Sequence, residues 1–195
     1  MKQETFTAKD LINAGLFSLL VFVATFIGGM FGLIPVLMPA IPFLCSFIAG
    51  PVFMLYSTKI HRFGMILIMG AITGLLFTVT GHGIYILPGI ILLSLISEWI
   101  LKQGHYHSVN HTRWALVVYS IYTVFNFIPI FIGREAYIQK LIDTGYGKKY
   151  AEEMMSVLPN WSLIPIVLLG CVGAYLGASL GIKLLNKHFK RAGMM

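Results

Sequence analysis

The chain has 195 residues, of which 57% are hydrophobic and only 11% charged, with a formal net charge of +7 and a mean hydropathy of +0.84. A soluble domain carries about 25% charged residues, so this chain cannot coat itself for water and takes lipid as its solvent. That excludes open sheets and leaves a helix bundle or a closed barrel, because backbone polar groups in hydrocarbon must be satisfied internally. The apolar runs are continuous rather than alternating, which selects helices.

The predicted elements follow in chain order. Residues 1–10 are polar, and the first span covers about 11–33. Its apolar run is too long for a signal-peptide core and ends without a small-residue cleavage site, so it reads as a retained span. A break at Pro35, Pro39 and Pro42 precedes the second span, about 43–58, which ends at Lys59-Ile60-His61-Arg62. The third (about 64–80) and fourth (about 84–101) are joined by the polar turn Thr80-Gly81-His82-Gly83. Two full spans are expected there, with a re-entrant hairpin as the alternative because both runs are short of about 20 residues. The fifth span is about 114–133 and the sixth about 161–185. Between them, 135–143 and 148–157 are expected to form two short amphipathic helices, broken by Gly145 and Gly147 and stopped by Pro159. These would make an interfacial lid, the alternative being an ordinary surface loop. The result is an all-α membrane protein, a six-transmembrane-helix bundle, in a single integral membrane domain over 1–195.

Basic residues set the expected orientation. Lys2, Lys9, Lys59, Arg62, Lys102, Arg113, Lys183, Lys187, Lys190 and Arg191 fall on the side of the termini. Arg134, Lys140, Lys148 and Lys149 fall on the other, neutralised by Glu135, Asp143, Glu152 and Glu153. The bias places both termini in the cytoplasm of a multi-pass protein of the cell membrane. It also explains the net charge without nucleic acid.

The chemistry-bearing signals are few. No G-x-x-x-x-G-K-[ST] is present, so any uphill transport draws energy from a partner or an ion gradient. Gly177-Ala178-Ser179-Leu180-Gly181 matches the nucleophile-elbow pattern but falls in a continuous apolar run, where the required strand-to-helix turn is excluded. No H-E-x-x-H occurs. Glu152-Glu153 is similar to the paired glutamates of membrane CAAX-type proteases, but Val157 stands where their pattern has Arg. His105, His107 and His111 read as a solvated loop rather than a metal site, and Cys45 and Cys171 as small apolar filler. No catalytic set, metal or cofactor is therefore expected. Glu98 is the only acid within the spans proper, four residues before Lys102, and reads as a snorkelling ion pair.

Polar residues gather at the predicted outer mouth: His82 and Tyr85 between spans three and four, Asn126 inside span five, Arg134 at its end, and Asn160 and Trp161 opening span six. An intramembrane amide needs a partner, and a few polar groups in apolar walls describe a small-molecule pocket. The alternative is interfacial anchoring. Small residues at four-residue spacing form stripes in span one (Ala14 and Ser18; Ala24, Gly28 and Gly32) and span six (Gly173, Gly177 and Gly181). They serve internal packing or, for Ala14 and Ser18, contact with a partner subunit.

The chain also resembles a known family. Lys9-Asp10-Leu11-Ile12-Asn13-Ala14-Gly15-Leu16-Phe17, Gly50-Pro51-Val52-Phe53-Met54-Leu55, Ser97-Glu98-Trp99-Ile100 and Gly104-His105-Tyr106-His107-Ser108 carry the resemblance in the first two thirds of the chain. Asn126-Phe127-Ile128-Pro129, Arg134-Glu135-Ala136-Tyr137, Gly145-Tyr146-Gly147-Lys148-Lys149-Tyr150 and Lys187-His188-Phe189-Lys190-Arg191-Ala192-Gly193 carry it in the rest. Together these resemble the substrate-binding S components of energy-coupling factor (ECF) transporters, specifically the Trep_Strep group. The resemblance implies a six-helix subunit that captures a micronutrient from outside and performs no chemistry. It implies docking on a transmembrane coupling subunit joined to two ATP-binding subunits. The family's docking motif, Ala-x-x-x-Ala in the first helix, is matched by Ala14 and departed from at Ser18. A stand-alone secondary transporter is the alternative reading.

Overall fold

The computed structural model describes residues 6–191, with side chains described to Lys187. Lys2, Ala192 and Gly193 lie outside the described residues, as do the side chains of His188, Phe189, Lys190 and Arg191. Among the described residues every regular element is helical. In chain order these are α1 (Ala8–Gly29), α2 (Ile41–Ser57), α3 (Met65–Val79), α4 (Ile86–Gln103), α5 (Val109–Ser120), α6 (Ile128–Ile132), α7 (Arg134–Asp143), α8 (Lys148–Val157) and α9 (Leu163–Arg191), with short 3₁₀ segments between some of them. Five helical stretches are long and apolar enough to cross a membrane: Ala8–Leu33, Pro35–Ser57, Ile86–Gln103, Val109–Ile132 and Asn160–Lys187. The sixth apolar rod, α3, has only 15 residues. At about 1.5 Å per residue it spans roughly 22 Å, less than the ~30 Å hydrocarbon core.

Local chemistry explains the boundaries. Thr7 opens α1 with a reciprocal capping box: its hydroxyl accepts the Asp10 amide at 3.2 Å, and its own amide donates to the Asp10 carboxylate at 2.9 Å. Gly64 precedes α3 at φ +103° and Gly81 ends the following turn at φ +90°, conformations that side chains resist. In the fifth span the α-helix gives way to 3₁₀ turns over Ile121–Phe127. Pro129 sits in the first turn of α6 and has no amide hydrogen to continue the preceding ladder.

Helices associate here through close backbone approach and interhelical hydrogen bonds, since lipid supplies no hydrophobic drive between them. The most extensive pair is α2 against α9. A Cβ on Gly50 would stand 2.5 Å from the Gly177 carbonyl carbon, and one on Gly177 would stand 2.6 Å from the Phe47 carbonyl oxygen. Gly173 meets Phe43 and Gly181 meets Met54 in the same seam, while Gly28 lets α1 reach the Cys45 backbone. The small-residue stripes of spans one and six are thus internal packing faces. Ser97 Oγ donates to Ala115 O at 2.9 Å across α4 and α5, Tyr56 hydroxyl donates to Met65 O at 2.9 Å, and Thr25 and Tyr122 hydroxyls pair at 2.9 Å. Large apolar side chains such as Leu16, Leu19, Leu92, Leu168 and Leu176 point outward, as a lipid-facing surface requires.

The expected ion pair between Glu98 and Lys102 is replaced. Glu98 is fully buried and turns inward to the start of α3, where its Oε2 accepts the amides of Ile66 at 2.7 Å and Leu67 at 3.2 Å. Lys102 instead places its ammonium 5.8 Å from the Phe63 ring centroid.

Candidate functional site

Three departures from α-helix converge at the end of the bundle away from the N-terminus: the 3₁₀ turns Met30–Leu33, Pro35–Ala40 and Ile121–Phe127. Irregular backbone at membrane depth is tolerated where it lines a cavity, and a cavity of about 440 Å³ lies between them. Thr25, Phe26, Met30 and Leu33 form one wall; Met38, Ile41 and Cys45 a second; Thr123, Asn126, Phe127 and Ile130 a third. Phe77 and His82 close the side, and Tyr137, Tyr146 and Tyr150 descend from α7, the following turn and α8 as a roof. That volume falls within the roughly 300–1,000 Å³ of small-molecule sites. Among these lining residues none is Asp, Glu, Lys or Arg.

Most of the polar groups in the wall are already engaged. Thr25 is paired with Tyr122, Thr123 donates to Ser120 O at 2.8 Å, and Cys45 Sγ donates to Thr25 O at 3.3 Å. Tyr150 hydroxyl donates to Gly32 O at 2.5 Å, tying the roof to the turn after α1. Burial pushes the Tyr150 phenol up to about 12, helped by neighbouring Tyr146, so it remains a donor. Asn126 Oδ1 is buried with no partner. His82 Nδ1 lies 3.2 Å from Thr80 Oγ1. The His82 ring meets Phe77 edge-on at 5.0 Å. Burial lowers its pKa, opposed by a hydrogen bond that the ring donates to the Phe77 backbone carbonyl.

A second, shallower chamber of about 620 Å³ adjoins the first. It lies between the α3–α4 turn (Thr80, Gly81, Gly83, Tyr85) and the α6–α7 side (Pro129, Ile132, Ala136, Lys140, Thr144). His82, Asn126, Tyr137 and Tyr146 line both chambers and form the neck between them.

The six residues expected at the pocket therefore separate. His82 and Asn126 stand at the neck, and Tyr85 lines the outer chamber at 52% exposure. Arg134 and Asn160 line neither chamber. The Arg134 guanidinium donates through Nη2 to Met155 O at 2.6 Å and through Nη1 to Leu158 O at 2.8 Å and Asn160 Oδ1 at 3.2 Å. A cation on the last carbonyls of α8 is a C-terminal cap supplied from another helix. Trp161 points outward at 72% exposure. Three tyrosines of the lid and the aromatic wall of α1 and α3 were missed; tyrosines at 137, 146 and 150 in an otherwise polar segment were the available signal.

Ala14 and Ser18 are both fully buried. Ser18 Oγ donates to Ala14 O and lies 3.3 Å from Met69 O of α3. Their side chains pack inside the bundle rather than on its surface. Ser179 returns its hydroxyl to Tyr175 O at 2.9 Å within α9. Glu152 and Glu153 face water beside Lys148 and Lys149, at 3.6 and 3.9 Å. His111 Nδ1 lies 2.8 Å from Ser108 Oγ at the start of α5.

The fold and the uncharged, roofed cavity define an all-helical, multi-pass integral membrane protein. More particularly, the chain belongs to the Trep_Strep family, described as a hypothetical bacterial integral membrane protein, whose model matches residues 8–191. No curated protein and no solved structure matches it.

Proposed function

We propose that this protein is the substrate-binding S component of an ECF-type uptake transporter, capturing a small molecule from outside and delivering it with the help of ATP-binding partners. The observation that carries the reading is the cavity itself. It is enclosed by membrane helices, roofed by the lid of α7 and α8, and lined by no Asp, Glu, Lys or Arg among the described residues. Such a site can hold a ligand. Its wall offers no nucleophile–base pair for hydrolysis and no chain of carboxylates for proton coupling.

In this reading the chain is no enzyme and takes no cofactor. It assembles with a transmembrane coupling subunit and two ATP-binding subunits, and α3 completes six crossings with a locally thinned bilayer around it. The basic residues at the end opposite the lid support both termini in the cytoplasm, which turns the cavity outward. Affinity purification from native membranes tests the assembly: recovery of an ATP-binding subunit pair with the tagged chain is expected. Recovery of the chain alone, with uptake that collapses with the proton gradient and not with ATP depletion, would establish the stand-alone transporter instead.

A further inference from the structure

The two adjoining chambers differ in the charge they can accept, and that difference identifies the ligand's chemistry beyond the uptake reading on which it rests. The inner chamber is mostly aromatic, aliphatic and thioether surface, its Thr25, Thr123 and Cys45 groups already bonded within the wall, with Asn126, whose Oδ1 has no partner, and His82 at its mouth. A buried charge there would meet no counter-charge, which is costly. The outer chamber has one charged lining residue, Lys140 on the last turn of α7. None of the ion pairs found among the described residues engages it. Flat aromatic faces suit a conjugated ring, and a carboxamide presents one donor and one acceptor edge to a ring substituent. Lys140 suits an anion at the water boundary.

We propose that the ligand is an amphiphilic ring compound. Its uncharged conjugated portion passes the neck into the inner chamber and hydrogen-bonds Asn126, and an acidic group stays behind in the outer chamber against Lys140. The ligand enters ring first, between the α3–α4 turn and α7.

The test uses the full chain purified in detergent, incubated with a small-molecule fraction of yeast extract, washed, and examined by mass spectrometry for what remains bound. The expected result is retention of a ring compound bearing a carboxylate or phosphate. Lys140→Glu should lower its retention about fivefold, as an exposed ion pair allows, and Lys140→Arg should restore it. Asn126→Leu should lower retention by about tenfold or more, because the ligand's polar edge is then left unpaired. Should Asn126→Leu fail to fold, the wild type still decides: retention should weaken several-fold between low and high salt through screening at Lys140. A retained neutral compound indifferent to salt and to Lys140→Glu overturns the outer assignment. A retained acyl-chain lipid, or a ligand unaffected by a folded Asn126→Leu variant, overturns the inner one. A chain that retains nothing overturns both. Co-purification with ATP-binding subunits is read separately, so a wrong ligand class and a wrong transporter class give different results.

Discussion

Glu98 and Ile66 are joined at 2.7 Å, with a buried carboxylate of α4 accepting the amide at the start of α3. The first amides of any helix lack partners within it, and the positive end of the helix dipole favours a negative group there. Most helices solve this with their own N-cap. Here Gly64 stands at that position and supplies no side chain, so the neighbouring helix does so. A short apolar helix is thereby fixed at one end, while Phe77 and the turn bearing His82 form part of the cavity wall at the other.

Glu98→Ala should destabilise the protein by roughly 2 kcal/mol, the cost of leaving buried amides without a charged acceptor. Glu98→Gln keeps an acceptor oxygen and should lose less than half of that. Thermal unfolding of the detergent-purified variants checks the order, and equal stability of all three proteins would remove the capping role.

Gly50→Val should be among the most damaging single changes, because its Cβ would fall within 2.6 Å of the Gly177 backbone and neither helix can shift alone. The expected loss lies at the upper end of the roughly 1–3 kcal/mol seen on overpacking. Gly15→Ala, where a Cβ meets nothing within 4 Å, is the control and should be neutral or mildly stabilising in thermal melts.

Arg134→Ala should free the end of α8 while leaving every cavity-lining side chain in place. Proteolysis in the Gly145–Gly147 turn should then accelerate several-fold. Arg134→Lys, which cannot serve three acceptors in a plane, should be intermediate. Unchanged cleavage rates would show that the lid is held by its apolar contacts alone.

His82 gives a pH dependence with a definite sign. Its folded-state pKa lies below the ordinary histidine value of about 6.5 because burial disfavours the imidazolium. The unfolded chain therefore binds the proton first, and stability falls as pH drops below about 6.5 toward the folded value. Stability should be level between pH 7 and 8, and His82→Gln should flatten the acid limb of a melting-temperature profile.

Topology is checked by impermeant maleimide on intact cells. A cysteine replacing exposed Lys149 on α8 should label from outside, and one replacing exposed Lys59 after α2 should not. The reverse pattern would turn the cavity toward the cytosol and end the uptake reading.

Much of the architecture was legible because its causes are local. Apolar run length fixed the helices, Pro35 and Pro39 broke the chain after α1, and Gly145, Gly147 and Pro159 bounded the lid helices where the structure has them. The short third run, expected over about 64–80, is α3 at Met65–Val79, with Gly64 and Gly81 turning the backbone on either side of it. Asn126 was legible as an intramembrane amide, and His82 as an imidazole in a tight turn. The contacts of Arg134 with the end of α8 and with Asn160 were not legible, because a polar residue at a helix end looks the same whether it meets a ligand or another helix.

Sequence alone determined the solvent: with so few charges and such long apolar runs, a lipid-embedded helical bundle follows from transfer free energy, which depends on composition and not on neighbours. Tertiary structure alone decided which small residues touch backbone, that Glu98 serves α3 rather than Lys102, and that Ala14 and Ser18 lie inside. Those outcomes depend on where side chains from distant segments arrive in space, and chain spacing records only their place along each helix.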